Sequence, residues 1–170
     1  MFGIRSFRNN LIGKCILSLF GVGFSPFAPG TAGSLLSLFL FFELNKFLPA
    51  DVVSRGIVLV LSFVIVFFIS AYWIRICTSQ ENHDEQWIVV DEFLGMMISV
   101  SPLFFLKGDW YWWLIAFGLF RFFDIIKPLG IKKIDRGKNF LSVLWDDVVA
   151  GIYAVVIFIV LFFDSSFFLS

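Results

Sequence analysis

One stretch limits what this chain can become more than any other: Gly56 to Ile74, GIVLVLSFVIVFFISAYWI, nineteen residues without a charge. At about 1.5 Å of rise per residue a helix of this length covers about 28 Å, close to the hydrocarbon thickness of a bilayer. The composition around it agrees. Of 170 residues, 59% are hydrophobic and 15% charged, against about 45–50% and about 25% in a soluble domain. Lipid is therefore the expected outer solvent, and most of the 25 phenylalanines are expected to face it. Thirteen basic and thirteen acidic residues cancel. With no clustered basic face, a nucleic-acid partner is excluded.

Other apolar stretches extend the pattern. Val148 to Phe163 is a second span, and Ser34 to Phe42 is a shorter one ending at Glu43 and Lys46. Phe93 to Leu106 and Trp110 to Phe120 read as a helical hairpin turning at Lys107-Gly108-Asp109, with Trp110-Tyr111-Trp112-Trp113 as an interfacial anchor. The N-terminal segment carries Arg5, Arg8 and Lys14 ahead of a short apolar run. It lacks a small-x-small cleavage site and reads as retained. The expected fold is all-α: one domain over residues 1–170, an integral membrane helical bundle of about five apolar helices, some short or re-entrant. With a cytoplasmic N-terminus, ten of the thirteen basic residues lie inside and three, Lys46, Arg55 and Lys107, outside. Nine of the thirteen acids fall on the same cytoplasmic side, so the polar site is expected at that face.

Cys15 and Cys77 stand apart with no CxxC pairing, and His83 is the single histidine. Disulfide frameworks, zinc sites and mechanisms that need two histidines drop out.

What remains is a set of acids beside apolar helices, where ionised groups are costly and usually functional. Asp91 and Glu92 in IVVDEFLGMM sit near a helix N-terminus, and Gly95, three residues beyond Glu92, would admit another backbone or a ligand. Capping needs one acid and not two. Arg121, Asp124 and Lys127 recur at threes in FRFFDIIKPLG, so they share a helix face that Pro128 terminates. The bland alternative there is an internally paired helix end, with Asp124 bridging two cations. Asp146 and Asp147 open another apolar helix, one turn ahead of Gly151. Two acid pairs and Asp124 at one membrane level repel one another unless a cation is present. Carboxylates without His or Cys suit a hard cation, Mg²⁺ first. Arg121 and Lys127 beside such a cation are what a phosphate substrate needs. The loop GVGFSPFAPGTAGS, Gly21 to Ser34, precedes an apolar helix, with Thr31 and Ser34 as candidate caps.

In this order the motifs resemble the phosphatidylglycerophosphatase A family of membrane lipid phosphatases. The resemblance rests on Ser25 to Ser34 (SPFAPGTAGS), Asp84 with Ile88 to Gly95 (IVVDEFLG), Phe120 to Pro128 (FRFFDIIKP), Asp135-Arg136, and Asp146 to Gly151 (DDVVAG), covering about residues 20–155. The chain departs from the family pattern at Gly130 and over Lys138 to Ser142, where a second proline and a glycine-rich stretch are usual. The resemblance implies Mg²⁺-dependent hydrolysis of the terminal phosphate of phosphatidylglycerol phosphate at the cytoplasmic leaflet of a bacterial-type membrane. The expected metal ligands are Asp91, Glu92, Asp124, Asp146 and Asp147, with Asp84 as a further ligand or base. Arg121, Lys127 and Thr31 are expected on the phosphate. Water attack and an aspartyl-phosphate intermediate both fit this set. A CDP-alcohol phosphotransferase would need a D-G-x2-A-R stretch that is missing here. A cation transporter would place its acids near mid-membrane, and a non-catalytic adaptor would use them as partner contacts.

Overall fold

The computed structural model of the chain describes residues 11–78, 85–106, 108–127 and 141–168. Among these residues every regular element is helical. In chain order they are α1 (Leu11–Leu17), α2 (Pro29–Leu44), α3 (Val52–Cys77), α4 (Val90–Ser99), α5 (Trp110–Ile126) and α6 (Ser142–Phe168). Short 3₁₀ turns lie at Val22–Phe24 and Ser101–Phe104.

Two helices are long and apolar enough to cross a membrane, α3 with 26 residues and α6 over Ser142–Asp164 with 23. Both overrun the uncharged stretches that announced them. At its start α3 is capped by Asp51, whose carboxylate accepts the Ser54 N–H at 2.8 Å. Little of α3 is covered: 22% of its most apolar window is buried, against 39% for α6. An uncovered surface of Val60, Val64, Ile65 and Phe68 of this extent suits an apolar surrounding and not water.

The first arm of the expected hairpin is not one continuous helix over 93–106. α4 stops at Ser99, and the chain tightens into the 3₁₀ turn Ser101–Phe104. Pro102 is the cause, because it has no N–H to give and its ring crowds the preceding turn. α5 runs six residues past Phe120 and ends at Lys127, which is left-handed with φ 45°. That residue precedes Pro128, whose ring disfavours continuing a right-handed helix.

Aromatic residues divide between the two sides more evenly than composition suggests. Trp110 and Tyr111 are exposed, as an interfacial anchor would be, but Trp112 and Trp113 are buried. Trp112 lies 5.5 Å from Phe158 and 4.9 Å from Phe162, and Trp113 packs edge-on to Phe42 and Phe104. Phe41, Phe104, Phe120 and Phe158 are likewise core. The phenylalanine excess thus also fills the spaces between helices, where apolar bulk and edge-to-face contacts replace polar partners.

α4 lies against α6 at backbone distance, and two glycines permit it. A Cβ on Gly151 would stand 2.5 Å from the Gly95 carbonyl oxygen, and one on Gly95 would stand 2.8 Å from that of Asp147. Gly95 thus admits a neighbouring backbone and not a ligand. At the C-terminal end of α4, Ser99 Oγ donates to the Ala116 carbonyl at 2.8 Å. Beyond it, Arg55 donates to the carbonyls of Pro49 and Phe104. The opposite end of α4, carrying Asp91 and Glu92, meets the starts of α2 and α6 and the end of α5.

Candidate active site

Asp91 and Glu92 are the second and third residues of α4, where the helix dipole favours negative charge. Asp147 stands in the second turn of α6, brought to them by the Gly95–Gly151 contact. One carboxylate oxygen from each of the three lies within 4.8 Å of the others. Asp147 is buried and the other two half-buried, yet Asp91 Oδ1 and Glu92 Oε2 are sealed from solvent without a hydrogen-bond partner. A buried polar atom left unpaired is costly and calls for an occupant. Asp91 and Glu92 stand ahead of the apolar stretch that begins at Phe93. Burial first, then the charges of Glu92 and Asp147, push the Asp91 carboxyl well above the usual range; burial pushes Glu92 up as well. Three carboxylates in this geometry ionise together only with a cation between them. Their all-oxygen donor set fits a hard divalent ion such as Mg²⁺.

Arg121 of α5 adjoins this cluster. Its Nη1 lies 2.5 Å from Asp124 Oδ2, Nη2 donates to Thr31 Oγ1 at 3.3 Å, and Nη1 reaches Ser34 Oγ at 3.4 Å. Its Nε is buried with no partner. Gly30 makes room for this meeting. A Cβ there would collide with the Glu92 carboxylate and stand 3.4 Å from Arg121 Nη1.

Thr31 and Ser34 do not cap α2. Its cap residue is Ala28, left-handed at φ 44°, with no side-chain hydrogen bond. Both hydroxyl residues fall inside the first turns, and Ser34 Oγ donates back to the Gly30 carbonyl at 2.7 Å. The glycine-rich segment therefore delivers two hydroxyls to the guanidinium.

The remaining acids have cationic neighbours. Asp124 holds Arg121 and is not bridged to Lys127, because Lys127 Nζ reaches Asp146 Oδ2 at 2.6 Å across the gap to α6. Asp146 Oδ1 also accepts the Asp147 N–H at 3.1 Å. Of the five acids expected around a metal, Asp91, Glu92 and Asp147 lie closest together; Asp124 touches Asp147 while it holds Arg121, and Asp146 pairs with Lys127 beside them. Asp84 lies outside the described residues. Ser34 and Gly30 are additions to the expected site, and their signal in the sequence was the compact PGTAGS run before an apolar helix.

Fold and site define an all-helical protein with an apolar exterior and, at one end of its helices, three clustered carboxylates beside a guanidinium. The sequence matches the family model for phosphatidylglycerophosphatase A over residues 15–162. This chain belongs to that family. A Haemophilus influenzae phosphatidylglycerophosphatase A is 38% identical over 141 residues, 81% of this chain and 81% of its own. The Escherichia coli K12 phosphatidylglycerophosphatase A is 36% identical over 134 residues, 78% of this chain and 73% of its own. A Bacteroides thetaiotaomicron protein with the provisional name phosphatidylinositol-3-phosphatase is 39% identical over 142 residues, 81% of this chain and 86% of its own. No solved structure matches the chain.

Proposed function

We propose that this protein removes the terminal phosphate of phosphatidylglycerol phosphate, giving phosphatidylglycerol and inorganic phosphate, with Mg²⁺ held by Asp91, Glu92 and Asp147. The observation that carries the reading is the carboxylate triad with its two orphaned buried oxygens beside Arg121. Family membership supplies the reaction and the headgroup. When bound, the cation supplies charge neutralisation and Lewis acidity at the phosphate.

The chain's own residues account for the rest. Arg121 presents a planar fork suited to two phosphate oxygens. Asp124, Thr31 and Ser34 fix that fork before substrate arrives, which lowers the cost of orienting it. Lys127 adds a point charge from the end of α5, steadied by Asp146. Water attacks phosphorus, the bond to the glycerol oxygen breaks, and the departing alkoxide takes a proton. Asp84 serves as a base or further ligand.

The same reading sets the protein in a bacterial cytoplasmic membrane, crossing five times with the site at the cytoplasmic face. The ten-to-three split of basic residues supports that orientation. So does the meeting of the starts of α2, α4 and α6 with the end of α5 at one polar level.

The Bacteroides relative's name favours a second headgroup, an inositol lipid phosphorylated at its 3-position. It shares the phosphate monoester chemistry and differs in the alcohol released. Phosphate release by the purified protein from phosphatidylglycerol phosphate, phosphatidylinositol 3-phosphate and phosphatidic acid separates the two. Preference for the first supports the main reading, preference for the second supports the alternative, and turnover of none overturns both.

A further inference from the structure

The seam between α2 and α5 continues past the polar site as an open apolar groove. Its cavity of about 380 Å³ is lined by Leu35, Phe39 and Phe42 of α2 and by Trp110, Trp113 and Leu114 of α5. These two helices also carry Thr31 and Ser34 on one side and Arg121 on the other. Leu35 stands one helical turn from Thr31, on the same face. On α5, Gly118 falls between Leu114 and Arg121, and no atom lies within 4 Å of where its Cβ would stand. The groove thus lies in line with the guanidinium along the same two helices, with only the exposed, side-chain-free Gly118 between Leu114 and Arg121 on α5. From Thr31 to Phe42, and from Arg121 to Trp110, eleven residues of helix measure about 16 Å.

We propose that this groove is a subsite for one acyl chain of the phosphorylated glycerolipid substrate, seated with its phosphate at the Arg121 end. The proposal rests on the lipid phosphatase reading above. An amphiphile must present a polar head and an apolar tail in one line, and this seam offers the two in that order. A second apolar pocket, between α3 and α4, lacks that alignment. It is lined by Gly56, Leu59, Met97 and Ser101, at the end of α4 away from Asp91. In a bilayer the chain is already out of water, so the groove gains no hydrophobic transfer energy and acts through packing and orientation. It therefore aligns the head and selects among chains.

The test is to fill the groove. Leu114→Trp and Phe39→Trp, both away from the Arg121 end of the groove, are compared with wild type on dioleoyl and dihexanoyl phosphatidylglycerol phosphate, with Gly56→Trp as a control in the other pocket. Leu114 is 49% and Phe39 61% exposed, so the larger indole displaces no core side chain and folding is retained. Both groove variants are expected to raise the KM for the dioleoyl lipid about tenfold with kcat kept, which is the signature of lost ground-state binding. The KM for the dihexanoyl lipid, whose chains end short of the aromatic end of the groove, is expected to stay unchanged, and Gly56→Trp to leave both lipids unaffected. Equal effects on both lipids, no effect on either, or a matching effect of Gly56→Trp overturns the subsite. If wild type releases phosphate from neither lipid, the phosphatase reading falls and takes the subsite with it; indifferent variants of an active enzyme overturn the subsite alone.

Discussion

Replacing Gly95 by alanine tests whether the α4–α6 contact sets the site. The added methyl would stand 2.8 Å from the Asp147 carbonyl oxygen and against the Phe120 ring, where ordinary contact begins at 3.4 Å. The helices must part by the difference, about 0.6 Å, unless Phe120 and the backbone share the strain. Overpacking of this kind costs about 1–3 kcal/mol. The larger effect is on chemistry, because Asp91 and Glu92 ride on one of these helices and Asp147 on the other. A misplacement of about 1 Å costs about 10²-fold in rate, so about 0.6 Å predicts a loss of kcat on the order of tenfold. Gly151→Ala, whose methyl meets the Gly95 carbonyl at 2.5 Å, needs about 0.9 Å and should lose more. The assay is phosphate release by purified protein in mixed micelles across a Mg²⁺ titration, with the thermal midpoint measured alongside. The expected result is a folded Gly95→Ala protein with a lower kcat and a higher Mg²⁺ requirement. A folded variant with wild-type kcat and Mg²⁺ response would refute the idea that this contact positions the carboxylates.

Asp91→Asn and Asp147→Asn should each abolish phosphate release while leaving membrane expression intact; near-normal turnover in both at saturating Mg²⁺ would count against the metal site. Arg121→Ala should chiefly raise the KM, by about tenfold or more for a lost charge-assisted contact; a reduced folding yield with unchanged kinetics would make Arg121 structural. Topology is open to single cysteines in a chain whose Cys15 and Cys77 are serine. Phe47→Cys, 80% exposed at the far end of α2, should react with an impermeant thiol reagent added outside intact cells. Phe27→Cys, 84% exposed beside the site, should react only after the membrane is opened, and the reverse pattern would invert the map.

Much of the site was legible because its parts are local. Arg121 and Asp124 lie three apart on one helix, and their pairing follows from that spacing. The acid pairs at the starts of apolar stretches announced themselves by their cost in such surroundings. The pairing of Lys127 was not legible, since its partner Asp146 lies on another helix and depends on how α5 and α6 meet. Thr31 and Ser34 looked like caps because a cap is the nearest use for a hydroxyl before an apolar run. Their observed use needs α2 packed beside α5, which no local pattern encodes. The break in the first hairpin arm is legible, since Pro102 stands inside the apolar stretch Phe93 to Leu106. Which phenylalanines form the core, Phe41, Phe104, Phe120 and Phe158, was not legible either. In a chain surrounded by lipid, core and exterior draw on the same residues, and hydropathy alone does not separate them.

The account stands on a divalent cation held by Asp91, Glu92 and Asp147. The most direct measurement is phosphate release from phosphatidylglycerol phosphate by protein stripped with EDTA and then titrated with Mg²⁺, wild type beside Asp147→Asn. The predicted result is no release in EDTA, full recovery of wild type with Mg²⁺, and no recovery of the variant. Undiminished release in EDTA, or recovery of Asp147→Asn at the wild-type Mg²⁺ concentration, would contradict it.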